Sequence, residues 1–524
     1  MTVRAKATIR EFGDYQTPLA FARLVCTKLK DAYKLSPAVI LEPTFGAGNF
    51  IEGALVEFEN IQTAYGVEVN NGYYEATKKR LCGLGFSHKL DLYKGDIFSF
   101  DFSRFKERIS KKQNLLIIGN PPWATNSQLS AINSQNLPIK GNFKEHKGID
   151  AITGKGNFDI AEYIILRLLG EFSGYNCTLA MLCKTIVAKN IIRDIDKYNF
   201  GIAKADMFLF NANDVFGVSC DAALFVAKLG LDTSASVACN VYDFYTNVKE
   251  RQFGWANGAF YANALMSGIT ASIDGHCPFE WRQGIKHDCS KVMELNKSDE
   301  DKFINGFGDE LDLPVGQFVF PLVKSSDIKT DEITKTRKHV VVTQKRVNSD
   351  TSIIMQKERA VWEYLTRFEG LLNARRSVIY KKSPKFSVFG VGDYSFSKYK
   401  VGISGFYKEP KFALITGEIP IMLDDTCYFL NFHKIEDAII TVALLNSERC
   451  KQFLKSVAFL DSKRPYTKEV LKRIDILKLS ESVSYEYVLE YALGMKGCYN
   501  ISERQYYDYL NSCKGFPCVA SKQN

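Results

Sequence analysis

The sequence predicts an α/β protein: a mostly parallel sheet wound by helices over the first ~230 residues, then a region of short strands closing in helices. Three observations predict it. Short aliphatic or β-branched runs alternate with helically spaced apolar residues through the first part. Gly, Asp, Glu or Asn stands where several of these runs should pass into loops. After about residue 232 the alternation is replaced by closely spaced β runs, with a helical pattern resuming from about 434.

Taken in order, the first-part runs are AVILEPTFGAGNF (38–50), TAYGVEV (63–69), LYKGDI (92–97), NLLIIGNPPW (114–123), CTLAMLC (177–183) and DAALFVAKL (221–229). A stretch rich in Asn, Ser, Gly and Lys separates Trp123 from Phe158, and loops of such length usually carry function. It is expected to begin a loop over a bound substrate. LDTSASVACNVYDF reads as a strand leading out of the first domain. Further strands are expected at 317–323, 338–347, 377–382, 385–392 and 411–417. The domain boundaries drawn from this pattern are residues 1–235, a connecting segment 236–280, and residues 281–524.

Composition narrows the class without naming a function. With 524 residues, two or three domains are expected, and 46% hydrophobic against 24% charged residues is an ordinary globular balance. No apolar run reaches the ~18 residues of a membrane span, and the N-terminus lacks the apolar core of a signal peptide. Thirteen cysteines without a CxxC pair suit reduced thiols, so a cytoplasmic location is expected. The six histidines show no metal-ligand spacing, so no metal site is expected. A net charge of +9 hints at an anionic partner. The excess is locally dense between Arg375 and Lys411, with nine basic and two acidic residues; a solvated surface is the plainer reading of that run.

Ligands of open α/β sheets bind beyond the carboxyl ends of the strands, so the polar tips belong together. In EPTFGAGNF a carboxylate precedes a glycine turn that opens a helix, a nucleotide-binding loop in outline. Glu68 in YGVEVN lies where an acidic side chain can hold ribose hydroxyls. Asp96 and Phe98 in GDIF stand where they could meet a purine. Singly, each tip could equally be a helix cap or a polar strand end. In NPPW, Asn120 offers an amide oxygen and Pro121 a backbone carbonyl on a conformationally fixed residue. Two such acceptors can grip an exocyclic amine, and Trp123 can stack on the ring that bears it.

With these motifs, and GDYQTP at 13–18, the sequence resembles the S-adenosylmethionine-dependent DNA adenine-N6 methyltransferases, in the gamma order of motifs. The resemblance implies a Rossmann-like class I methyltransferase domain with a mixed, mostly parallel sheet, followed by an α+β target-recognition domain. It implies that S-adenosylmethionine is held by Tyr15, Thr17, Pro18, Glu42, Pro43, Gly46, Gly48, Glu68, Asp96, Ile97, Phe98 and Asn120. Asn120, Pro121, Pro122 and Trp123 would form the catalytic motif, and Phe216 in NDVFGVS would pack the base's other face. Asn49 stands where the family often has a third glycine, and Trp123 where Tyr or Phe is more common.

The implied substrate is the N6 amine of a flipped-out adenine in a specific double-stranded DNA sequence. A separate cognate restriction endonuclease is an implied partner. Arg282, Lys286, Lys345, Arg346, Lys381, Lys382, Lys385, Lys463 and Arg464 are the candidate DNA contacts, although the aromatics interleaved among them also fit a β core. N4-cytosine, RNA adenine or a protein glutamine are alternative acceptors of the same kind. A non-catalytic DNA-binding subunit or a fused nuclease fits the sequence less well. The first lacks a use for an intact cofactor loop, and the second lacks a nuclease constellation.

Overall fold

The run LLIIG becomes a strand buried at every position, β4 (Leu115–Gly119), near the middle of a ten-stranded sheet. The structure is a computed structural model that describes residues 15–124, 159–198, 200–230, 237–298 and 302–514. The expected loop after Trp123 falls largely on 125–158, outside the described residues. Contacts divide the chain into two units, Met1–Leu265 and Met266–Asn524.

In the first unit β4 pairs in parallel with β1 (Val39–Glu42) and β5 (Cys177–Lys184). Beyond β1 lie β2 (Thr63–Glu68) and β3 (Leu90–Lys94), also parallel. Continuous apolar strands of this kind follow from burial on both faces of a parallel sheet. β7 (Asp221–Leu229) inserts antiparallel between β5 and β6 (Ile202–Asn211). Strand order therefore reverses at β1 and β4, the switch point where a ligand crevice opens.

Helices join and cover the strands. α1 (Leu19–Tyr33) precedes β1, α2 (Asn49–Glu57) follows it, and α3 (Asn71–Gly83) follows β2. The Asn70 side chain caps α3 by accepting from the Gly72 and Tyr73 N–H groups. α4 (Ile160–Glu171) is capped by Asp159 and carries a nearly continuous buried face, and α5 (Thr185–Arg193) leaves the end of β5.

Two features depart from the sequence reading. β6 was not anticipated, because Lys204 and Asp206 interrupt its apolar pattern; Asp206 is buried and satisfied by the Tyr33 hydroxyl and the Asn240 amide. The segment 236–280 is not simply a connection. Its residues form β8 (Ala238–Asp243), β9 (Lys249–Ala256) and β10 (Ala259–Tyr261), which extend the first sheet beyond β6. The first unit consequently runs to Leu265 rather than 235.

The second unit holds two smaller sheets. One is ordered β11 (Arg282–Gln283), β21 (Cys427–Phe432), β18 (Tyr399–Ser404), β19 (Phe412–Thr416), β16 (Glu332–Ile333). The other contains β14 (Glu310–Leu311), β13 (Phe303–Ile304), β12 (Glu294–Lys297), β17 (Lys338–Val341), β15 (Val319–Val323) and β20 (Met422–Leu423). The helical end starts with α6 (Ile435–Asn446), buried from Ala438 to Asn446. The strands expected at 377–382 and 385–392 are absent. Val378–Lys382 is a 3-10 turn, and Phe386 adopts φ 62°, which no strand accommodates.

Candidate active site

The glycine loop leaves β1 at Glu42 and enters α2 at Asn49. Gly48 has φ 67°, and a Cβ there would lie 2.3 Å from Thr77 Cγ2, so only glycine fits. Glu68, at the end of β2, accepts the Gly46 N–H at 2.8 Å and the Asn70 N–H at 2.7 Å. Glu42 accepts the Ile51 N–H at 3.1 Å, and burial pushes its carboxyl well above the usual range, with Glu68 adding to the rise.

Asn49 occupies the third-glycine place for a visible reason. Its amide donates to the Thr17 carbonyl at 2.7 Å, and its oxygen accepts from Arg80 at 3.3 Å. Arg80 also donates to the Ala47 carbonyl at 2.6 Å and pairs with Glu52. Gln16 Oε1 accepts the Ala47 N–H at 2.8 Å. The segment before α1 is thus tied to the loop by side chains.

A cleft of about 660 Å³ opens over these tips. Tyr15, Thr17, Glu42, Pro43, Gly46, Glu68, Asp96, Ile97, Phe98 and Asn120 line it, all named from the sequence as cofactor residues. Pro18 and Gly48 stand outside the lining. Pro18 stands just before α1 as its N-cap, and its carbonyl accepts the Phe21 and Ala22 N–H groups, whereas Gly48 shapes the loop from behind. Asp96 is exposed and accepts the Phe98 N–H at 2.9 Å. Arg167 of α4 donates to the carbonyls of Ile97 and Phe100, clamping this tip. Tyr73, Asn70, Ile160 and Ile164 also line the cleft and carried no motif signal.

At the end of β4, Asn120 Nδ2 donates to the Tyr15 carbonyl at 2.8 Å. Its Oδ1 is buried with no hydrogen-bond partner among the described residues. Buried acceptors are ordinarily paired, so this oxygen can take a donor from a molecule bound at the cleft wall. Pro121 is buried beside it and Pro122 lines the cleft.

Trp123 is 5% exposed and fastened to β5 twice. Its indole N–H donates to the Leu182 carbonyl at 3.3 Å, and its own carbonyl accepts from Lys184 Nζ at 2.9 Å. Lys184 also pairs with Asp159 at 2.7 Å. Lys184 follows the CTLAMLC run and Asp159 precedes an apolar helix, so both positions were legible although their joint role was not. Phe216 closes a short helix, Ala212–Phe216, ended by left-handed Gly217. Its ring meets Trp123 edge-on, centroids 5.2 Å apart at 76°. Two faces sandwiching a planar ring need about 7 Å, twice a carbon contact distance, so a ring enters between them only if Phe216 moves away from Trp123.

In the second unit five of the nine candidate DNA contacts are ion-paired: Arg282 with Glu280, Lys286 with Asp288, Arg346 with Asp393, Lys385 with Glu369 and Arg464 with Asp425. Lys345 lies 5.9 Å from the Phe396 ring and Lys463 6.0 Å from that of Phe406. Lys381 and Lys382 are exposed. The interleaved aromatics turn inward: Phe386 is buried, Phe396 packs on Phe320 and Tyr380 on Phe389.

The cleft suits S-adenosylmethionine. Backbone N–H groups and carboxylates serve its polar ends, Phe50, Ile160 and Ile164 supply apolar wall, and the buried Thr17 and Thr44 hydroxyls lack partners among the described residues. No protein-family profile matches the chain. It is 39% identical over 486 residues to the type II methyltransferase M.NspV of Nostoc sp. (strain ATCC 29411 / PCC 7524), covering 92% of this chain and 100% of that one. Among solved structures, the type IIG restriction endonuclease BpuSI is similar at TM-score 0.36 and 13% identity, over 95% of this chain and 65% of that one. A type I restriction-modification system methyltransferase subunit from Streptococcus thermophilus gives TM-score 0.27 and 14% identity, over 45% and 51%. Similarity that low carries no argument; the Nostoc relative does. The chain belongs to the type II methyltransferase family, and its methyl donor is S-adenosylmethionine.

Proposed function

We propose that the protein methylates the N6 amine of an adenine flipped out of a specific double-stranded DNA sequence, as the modification enzyme of a restriction-modification pair. Residues Met1–Leu265 would carry the chemistry, in the gamma order of motifs, and Met266–Asn524 would recognise the target. The observation that carries the reading is the buried Asn120 Oδ1 at the cleft wall, which has no hydrogen-bond partner among the described residues.

An adenine amine is a weak nucleophile because its lone pair is delocalised into the ring. Asn120 Oδ1 and the Pro121 carbonyl, accepting one N6 proton each, would draw the nitrogen toward a pyramidal geometry and free that pair. The bond from Asn120 Nδ2 to the Tyr15 carbonyl fixes which amide atom faces the cleft. Bound S-adenosylmethionine supplies an already activated methyl group on a sulfonium. Extruding the base costs a few kcal/mol. Stacking on Trp123, and on Phe216 once its ring moves aside, returns roughly 1–3 kcal/mol per contact.

The test is methyl transfer from labelled S-adenosylmethionine to plasmid DNA by the purified protein, followed by nucleoside digestion and mass spectrometry. N6-methyladenosine in its deoxy form is the expected product. Label on cytosine, on RNA or on protein would replace the reading with one of the alternative acceptors.

A further inference from the structure

Beside the candidate contacts Lys381 and Lys382, the second unit exposes two aliphatic side chains that the sequence reading did not single out. Val378 and Ile379 stand at the surface, 68% and 40% exposed, on the 3-10 turn Val378–Lys382. β-branched side chains gain nothing from that exposure. They are flanked within seven residues by Arg376, Lys381 and Lys382, all exposed. No acidic side chain among the described residues pairs with any of these three cations. Lys385, Arg346 and Lys286 nearby in sequence or role all have acidic partners.

The base of this hook is rigid where its tip is bare. Arg375 is buried and donates to the carbonyls of Leu372 at 2.7 Å, Ser387 at 2.7 Å and His287 at 3.2 Å. Its guanidinium lies 3.7 Å from the centroid of the Tyr380 ring, whose hydroxyl donates to the Lys286 carbonyl at 3.3 Å. Ser383 Oγ closes the turn on the Ile379 carbonyl at 2.8 Å. An anchored turn that offers two apolar side chains between free cations has the chemistry of a DNA wedge: cations for phosphates, aliphatics for the base steps.

We propose that the Arg376–Lys382 hook is an apolar wedge that engages double-stranded DNA, with Val378 and Ile379 against the bases and Arg376, Lys381 and Lys382 on the phosphates. The inference rests on DNA being the substrate. Its test uses the full chain, a V378A/I379A variant and a K381Q/K382Q variant, with unfolding temperatures confirming that each remains folded. Binding to a short duplex is followed against salt, and methyl transfer is followed on plasmid DNA.

The charge variant should lower the slope of log affinity against log salt by about 2, one phosphate contact per lysine. The apolar variant should keep the parent's slope and lose about tenfold or more in kcat/KM, the scale of removing several partly buried methyl groups. An apolar variant that methylates like the parent, or a charge variant with an unchanged slope, overturns the wedge. A parent protein that transfers no methyl to plasmid DNA overturns the substrate reading instead, and that outcome is scored on the parent alone.

Discussion

The cleft of the first unit and the basic surface of the second were both marked out by sequence motifs, yet they are built on opposite terms. Around the cleft, polar side chains are buried and tied to backbone groups, and three atoms have no partner among the described residues: Asn120 Oδ1, Thr17 Oγ1 and Thr44 Oγ1. On the second unit, five of the nine candidate cations are already paired with nearby carboxylates. The cleft thus holds buried acceptors and hydroxyls open to a ligand, and the Arg376–Lys382 hook holds cations without acidic partners among the described residues. A ligand site is better recognised by what its groups still lack than by which groups are present.

The largest expected effect tests the open acceptor. Asn120→Ala should cut methyl transfer by at least about 10²–10³-fold, the scale of losing one positioned polar partner of a reacting group. S-adenosylmethionine binding, followed by equilibrium dialysis, should persist. Retained turnover would remove the distinction between the cleft and the surface.

Next in size is the glycine loop. Gly48→Ala should destabilise the protein by roughly 1–3 kcal/mol through its positive φ and weaken cofactor binding. A second change, Thr77→Ser, removes the methyl that the new Cβ would strike and should recover part of the loss. If Thr77→Ser recovers nothing, the contact is not what fixes glycine there.

The second unit should instead respond to acid. Burial works to raise the Glu294 carboxyl, but bonds from His287 and Lys324 and their charges outweigh it and hold it at about 2. A carboxyl depressed in the folded state stabilises fully above its unfolded value near 4.5, and that stability fades as pH falls toward 2. Unfolding between pH 5 and pH 3 should show this loss, roughly 2–3 kcal/mol in all. Glu294→Gln should be less stable at neutral pH and should flatten the acid dependence.

The smallest effect separates paired from free cations. Lys385→Gln, which leaves Glu369 behind, should change the salt slope of DNA binding by well under the value of about 1 expected for a free phosphate contact. An effect as large as that of a hook lysine would mean that ion pairing on this surface does not distinguish contacts.

The same contrast explains what the sequence made legible. The strand tips of the first unit are local: a run of aliphatics, a turn and a polar residue sit within a dozen positions, so Glu42, Glu68, Asp96 and Asn120 could be placed together before any fold was known. What escaped notice depends on distance in sequence. Arg80 holds the Asn49 loop, Lys184 holds the Trp123 carbonyl, and Arg167 holds the Ile97 tip, each across 31 to 70 positions. β6 was hidden by Asp206, whose burial makes sense only once Tyr33 and Asn240 are beside it. In the second unit the spacing of KKSPKFSVFGVG suggested strands, but Arg375 draws the carbonyls of Leu372, Ser387 and His287 toward itself and leaves a hook.

On the proposed function, Asn120 presents its open acceptor to an adenine amine in DNA. The most direct measurement is long-read sequencing of host DNA after expression in a methylation-free strain, with the parent protein and with Asn120→Ala. The expected result is N6-methyladenine at one recurring sequence with the parent and none with the variant. Methylated cytosine, unmodified DNA with the parent, or the same adenine mark with the variant would contradict it.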